Sequence, residues 1–114
     1  MISIKVYSTE HGVEPYKDFF SSINDPRAKS MVAKAINKME KGLGDYKTVG
    51  GGVHENRIHV GKGYRIYFYN DGQELVILLG GSDKKNQARE IENAKSYLRD
   101  YKRQKRSKSK GEKR

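Results

Sequence analysis

Four side chains in the stretch 57-RIHVGKGYRIYF-68 have the types and spacing to handle a phosphate. Read with the two-residue period of a strand, Arg57, His59, Arg65 and Tyr67 share one face, and Ile58, Val60, Ile66 and Phe68 share the other. The turn Gly61-Lys62-Gly63 folds the two runs into a hairpin, which brings the polar set together, with Lys62 at its tip. Arginine forks match phosphate oxygens and a histidine titrates near neutrality, so the set suits binding and cleavage of a phosphodiester. A plainer alternative is a solvated face held by cross-strand Arg–Tyr and Arg–Glu55 pairs. Periodicity alone leaves both open. The aromatic run Tyr64, Tyr67, Phe68 and Tyr69 suits sheet packing as well as base stacking.

A second candidate is 80-GGSDKKNQ-87, where two glycines lead from a strand into a helix N-terminus, a geometry that receives anions. Asp83 reads as the cap. Lys84 and Lys85 then fall in the first turn, where each opposes the helix dipole by roughly 0.3–1 kcal/mol. A local rule broken at this point is what a phosphate site would require, and a tolerated surface mismatch is the alternative. Other chemistries lack their residues. There is no GxxxxGK[ST], HExxH or GxSxG, and no acidic cluster for two metals. His54 and His59 point to opposite faces of one strand and make poor joint ligands. No metal or small-molecule cofactor is expected, so phosphoryl chemistry here would be metal-independent.

The elements that must position these residues follow from hydrophobic period and breakers. The run 2-ISIKVYS-8 alternates as a half-buried strand. A short helix is expected over 14–23, with Pro15 in its first turn, and a longer one from Asp25-Pro26 to Gly42 and Gly44. Its apolar stripe is Ala28, Val32, Ala35, Ile36, Met39 and Leu43. Residues 45–52 read as a loop. Three strands follow at about 53–60, 64–69 and 74–80, joined by Gly61-Lys62-Gly63 and Asn70-Asp71-Gly72. The run 75-LVILL-79 is apolar on both faces, as expected of an interior strand. A last helix begins near Asp83 and buries Ile91, Ala94, Leu98 and Tyr101. The order βααβββα is α+β: an N-terminal strand, a helical hairpin, a twisted and mostly antiparallel sheet, and a C-terminal helix, with the helices mostly on one side.

A chain of 114 residues allows one domain with a modest core. The expected division is a domain over 1–101 and a basic, disordered tail over 102–114. That tail carries +7 of the net +10, leaving +3 on the domain. A basic balance of this kind favours nucleic acid, although the tail alone would serve equally as a solubilising end. With no cysteine, no secretory h-region and no apolar run near the ~20 residues a membrane helix needs, a cytoplasmic protein without membrane contact is expected.

The segment 56-NRIHVGKGYRIYFYNDGQELVILLGGSDKKNQAREIENAKSYL-98 resembles the core of the RelE/ParE/HigB toxin superfamily, closest to its phage-type addiction-module killer-protein group. The likeness lies in R-I-x-x-G-x-G-Y-R-I-Y-F, L-L-G-G-x-D-K-K-x-Q and A-K-x-Y-L, and in the order of elements over 1–101. It implies a toxin held by a cognate helix-turn-helix antitoxin and acting as a ribosome-dependent mRNA endoribonuclease. By position, Arg65 would stabilise charge on the scissile phosphate, and Lys84 and Lys85 match the basic pair after the last strand. Arg57 and His59 lie on the strand where the family carries further basic groups. The chain departs from the RelE pattern in having Lys-Lys where arginine is common, and in a final-helix tyrosine, Tyr97, set deep in the helix. The implied site is therefore Arg57, His59, Arg65 and Lys84 for chemistry, with Lys62, Tyr67 and Lys85 for substrate binding. The same fold also serves gyrase inhibitors of the ParE type, which act by binding, and a non-enzymatic RNA-binding module is a third reading.

Overall fold

The computed structural model describes the backbone of residues 1–112 and the side chains of residues 1–108. The elements run β1 (Ser3–Val6), α1 (Pro15–Ser22), α2 (Pro26–Glu40), β2 (Tyr46–Gly50), β3 (Val53–Ile58), β4 (Tyr64–Asn70), β5 (Leu75–Asp83) and α3 (Gln87–Glu112). The five strands form one mixed sheet in the order β1-β5-β4-β3-β2, with β1 parallel to β5 and every other pair antiparallel. The class is α+β. Among the described residues no helix is long and apolar enough to cross a membrane.

Local signals start and stop the helical hairpin. Pro15 opens α1, and Pro26 opens α2 behind Asp25, whose carboxylate accepts from the Arg27 amide. At the far end of α2, Gly42 takes the left-handed conformation (φ +72°), and the Gly42 and Leu43 amides donate to the Met39 and Lys38 carbonyls. This paired closure satisfies carbonyls that the helix leaves open. It also throws Leu43 off the expected stripe: Ala28, Val32 and Met39 are buried, whereas Leu43 is exposed.

The sheet has a core on each face, which corrects the expectation of helices mostly on one side. Ile58, Tyr64, Ile66, Phe68, Val76 and Leu78 pack against α1 and α2. Tyr7, Val53, Tyr67, Ile77 and Leu79 pack beneath Ala94 and Leu98 of α3. The interior strand β5 alternates between the two cores, so its apolar residues on both faces are all used. The hairpin face read as solvated is thus covered by α3 at Tyr67, while Arg57 and His59 stay exposed.

Two further differences concern boundaries. Residues 46–50, read as loop, form the edge strand β2, turned onto β3 through Gly50, Gly51 and Gly52, all with positive φ. A run of three such residues closes a turn that L side chains would strain. The final helix does not end at Tyr101, because α3 continues through Glu112 across most of the segment expected to be disordered. Lysine, arginine and glutamine are good helix formers, and composition alone does not distinguish a solvated helix from a coil. Side chains along it are also tied down: Tyr101 and Lys105 both donate to Asp71, and Gln104 donates to the Ser8 carbonyl. Residues 113–114 lie outside the described residues.

Candidate functional site

The β3–β4 register sets Glu55 opposite Tyr67 and Arg57 opposite Arg65, so all four share the face beneath α3. Glu55 has no exposed surface and lies at the centre of a ring of donors. Its Oε1 accepts from Arg57 Nε at 3.1 Å and faces Lys47 Nζ at 3.9 Å. Its Oε2 accepts from Gln87 Nε2 at 2.9 Å and lies 3.5 Å from Arg65 Nε. Buried charge demands this kind of pairing, because taking a carboxylate out of water is costly unless its lone pairs are met. The pairing is uneven, however. Arg65 is itself buried, and its Nε has no hydrogen-bond partner. Three cations surround one carboxylate, so positive charge is left in excess at a partly covered surface on which Arg57 and Lys47 are about half exposed, at 42% and 54%.

The other expected residues separate into two groups. Tyr67 is wholly buried, with its hydroxyl 2.9 Å from Ser82 Oγ. Burial pushes the phenol up to about 12, partly countered by the Ser82 bond. It therefore props the cluster from below and offers no ring to a nucleotide, contrary to its expected binding role. Lys62, Lys84 and Lys85 gather with Asp83 around a shallow pocket at the end of the hairpin, where Lys62 Nζ lies 3.4 Å from Asp83. His59 is exposed and lies one residue past the end of β3, so strand alternation no longer aligns it with Arg57.

The glycine junction is also rearranged. Gly80 and Gly81 lie inside β5, paired with Tyr67 and Ile66, and α3 begins only at Gln87. A methyl group on Gly81 would come within 3.0 Å of three Phe19 ring carbons, so this glycine lets α1 press against the sheet. Asp83 belongs to the strand. Its carboxylate accepts from the backbone and side-chain nitrogens of Asn86, bracing the turn that carries Lys84 and Lys85 ahead of the helix. Burial raises the Asp83 pKa, but the Asn86 and Lys62 bonds outweigh it and leave the carboxyl below its usual range. Both lysines thus avoid the first turn, and the expected conflict with the dipole does not arise.

An uncharacterized protein of Haemophilus influenzae is 40% identical over 81 residues, which cover 70% of this chain and 82% of the relative. The chain belongs to the family of that protein. No family model matches it. The match extends over most of both chains.

Sequence reasoning missed Lys47, placed in a loop, and Gln87, which reaches Glu55 across 32 residues. Glu55 entered it only as a pairing partner. Its alternation with Arg57 on one strand was a signal for the shared face, but its burial depends on the helix laid across it. Among the described residues no group of three or more His, Cys, Asp or Glu side chains is arranged to hold a metal ion.

Proposed function

We propose that this chain is the toxin of a type II toxin–antitoxin pair, RelE-like in topology, and that it cleaves mRNA on the ribosome in the cytoplasm. The observation that carries the reading is the Glu55-centred ring, in which Lys47, Arg57 and Arg65 from three adjacent strands converge with a surplus of positive charge. A phosphodiester is the chemical group that such forks match. In the proposed reaction the ribose 2′-oxygen attacks the adjacent phosphorus, and the bond from phosphorus to the 5′-oxygen breaks. A 2′,3′-cyclic phosphate remains on one product and a 5′-hydroxyl on the other. His59, exposed at the turn end of the hairpin, takes the 2′-hydroxyl proton, and water supplies the proton to the leaving oxygen. Arg57 and Arg65 neutralise the phosphorane, while Lys62, Lys84 and Lys85 hold the flanking strand. This dispersed acid–base set relies on the ribosome to align the message. A cognate helix-turn-helix antitoxin would hold the toxin inactive.

Burial of Tyr67 and Arg65 favours a second reading, in which the surface binds without cleaving, as a gyrase inhibitor of the ParE type or a plain RNA-binding module would. Primer extension on an mRNA in cell-free translation separates the two. New 5′ ends inside codons that require ribosomes, and are absent with Arg57→Ala and Arg65→Lys, support the nuclease. Intact message alongside inhibited supercoiling establishes the gyrase reading instead.

A further inference from the structure

We propose that Glu55 is the positioning residue of the phosphate site: from inside the sheet it holds Arg57 through a hydrogen bond from Nε and Arg65 by charge, leaving their terminal nitrogens to one incoming phosphodiester. The inference rests on the reading of this face as an RNA site and names the residue that shapes it. Glu55 has no exposed surface, so a ribose hydroxyl cannot meet it and a role as general base is closed to it. It is the described carboxylate within ion-pair distance of Lys47, Arg57 and Arg65 alike. Oε1 accepts from Arg57 and Oε2 from Gln87, while the buried Arg65 Nε stands 3.5 Å from Oε2 without a hydrogen bond. Here one anion is shared among three cations, and a bound phosphate would supply the missing negative charge. Gln87, as the first residue of α3, couples the helix to this arrangement.

The test is Glu55→Gln, which keeps the shape and one acceptor but removes the charge, with Glu55→Asp as the conservative variant. Folding of each is checked by circular dichroism. Ribosome-dependent cleavage by Glu55→Gln should fall on the order of 10²-fold, the scale set by misplacing a reacting group by about 1 Å. Binding of a short single-stranded RNA should hold or tighten, because net charge rises, and the shape of the pH–rate profile should stay that of the wild type. Glu55→Asp should recover part of the rate. Cleavage at the wild-type rate, loss of one limb of the pH profile, or weakened RNA binding in step with lost activity would each overturn the proposal. If the wild type cleaves nothing, the nuclease reading fails, and the inference is judged on nuclear magnetic resonance of the arginine Nε–Hε groups. Slowly exchanging Arg57 and Arg65 signals that shift on adding the RNA, and vanish in Glu55→Gln, uphold it. Signals that ignore the RNA or survive the substitution refute it. The same spectra of the wild type and Glu55→Asp decide the matter if Glu55→Gln does not fold.

Discussion

Gly81→Ala separates the two roles that a glycine at this junction could have. If the glycine cradles a phosphate, the substitution should spare stability and harm binding. If it makes room for α1, the reverse holds. The backbone of Gly81 is ordinary strand, so alanine itself is acceptable there and would gain ~0.5–1 kcal/mol from reduced freedom of the unfolded chain. Against this stands the Phe19 ring, three of whose carbons would lie within 3.0 Å of the new methyl. That ring packs between Tyr16 and Tyr64, with centroids 6.2 and 6.4 Å away, so displacing it toward the neighbouring cavity disturbs both contacts. Overpacking of this kind costs ~1–3 kcal/mol, and at the middle of that range the net loss is about 1–1.5 kcal/mol. For a domain near this size that lowers Tm by roughly 5–15 °C. Urea and thermal unfolding followed by circular dichroism would read the change, with the m-value held constant. In a Phe19→Ala background the same substitution should become neutral or stabilising, a coupling of about 1–2 kcal/mol. Gly80→Ala is the internal control, since its methyl would meet Pro15 at an ordinary 3.9 Å. Unchanged stability of Gly81→Ala combined with lost RNA binding would refute the packing role.

Three other outcomes follow from the tethers of α3 and from the buried phenols. The Lys105 bond to Asp71 and the Tyr7 bond to Asp100 lower those carboxyl pKa values, so their contribution is complete above about pH 4 and is lost as pH falls further. Amide exchange of α3 beyond Asp100 should therefore quicken below that point while the sheet stays protected, and uniform protection throughout would contradict the tethers. Burial pushes Tyr16 and Tyr67 up to about 12, so the stability they confer is complete below about pH 10 and drains away toward pH 12, by about 3 kcal/mol for Tyr67. Tyrosinate absorbance should rise together with unfolding, and ordinary titration of every tyrosine near pH 10 would count against their burial. Deleting residues 102–114 removes a net +7, and should weaken RNA binding and flatten its dependence on salt. An unaltered slope would remove the helix extension from the interface.

What could be read from the chain alone is what depends on neighbours in sequence. Asp25-Pro26 and Gly42 bound α2 through bonds made within a turn, and the hairpin turns and the alternation of 75-LVILL-79 are equally local. The sign and placement of charge needed no structure. Tertiary contact decided the rest. The polar face of the 57–68 hairpin has the same alternation whether water or a helix lies above it, so only the docking of α3 could bury Tyr67. Glu55 shows the point most sharply. A buried carboxylate is stable only where donors converge on it, and its donors come from positions 47, 57, 65 and 87, which strand pairing and helix packing bring together.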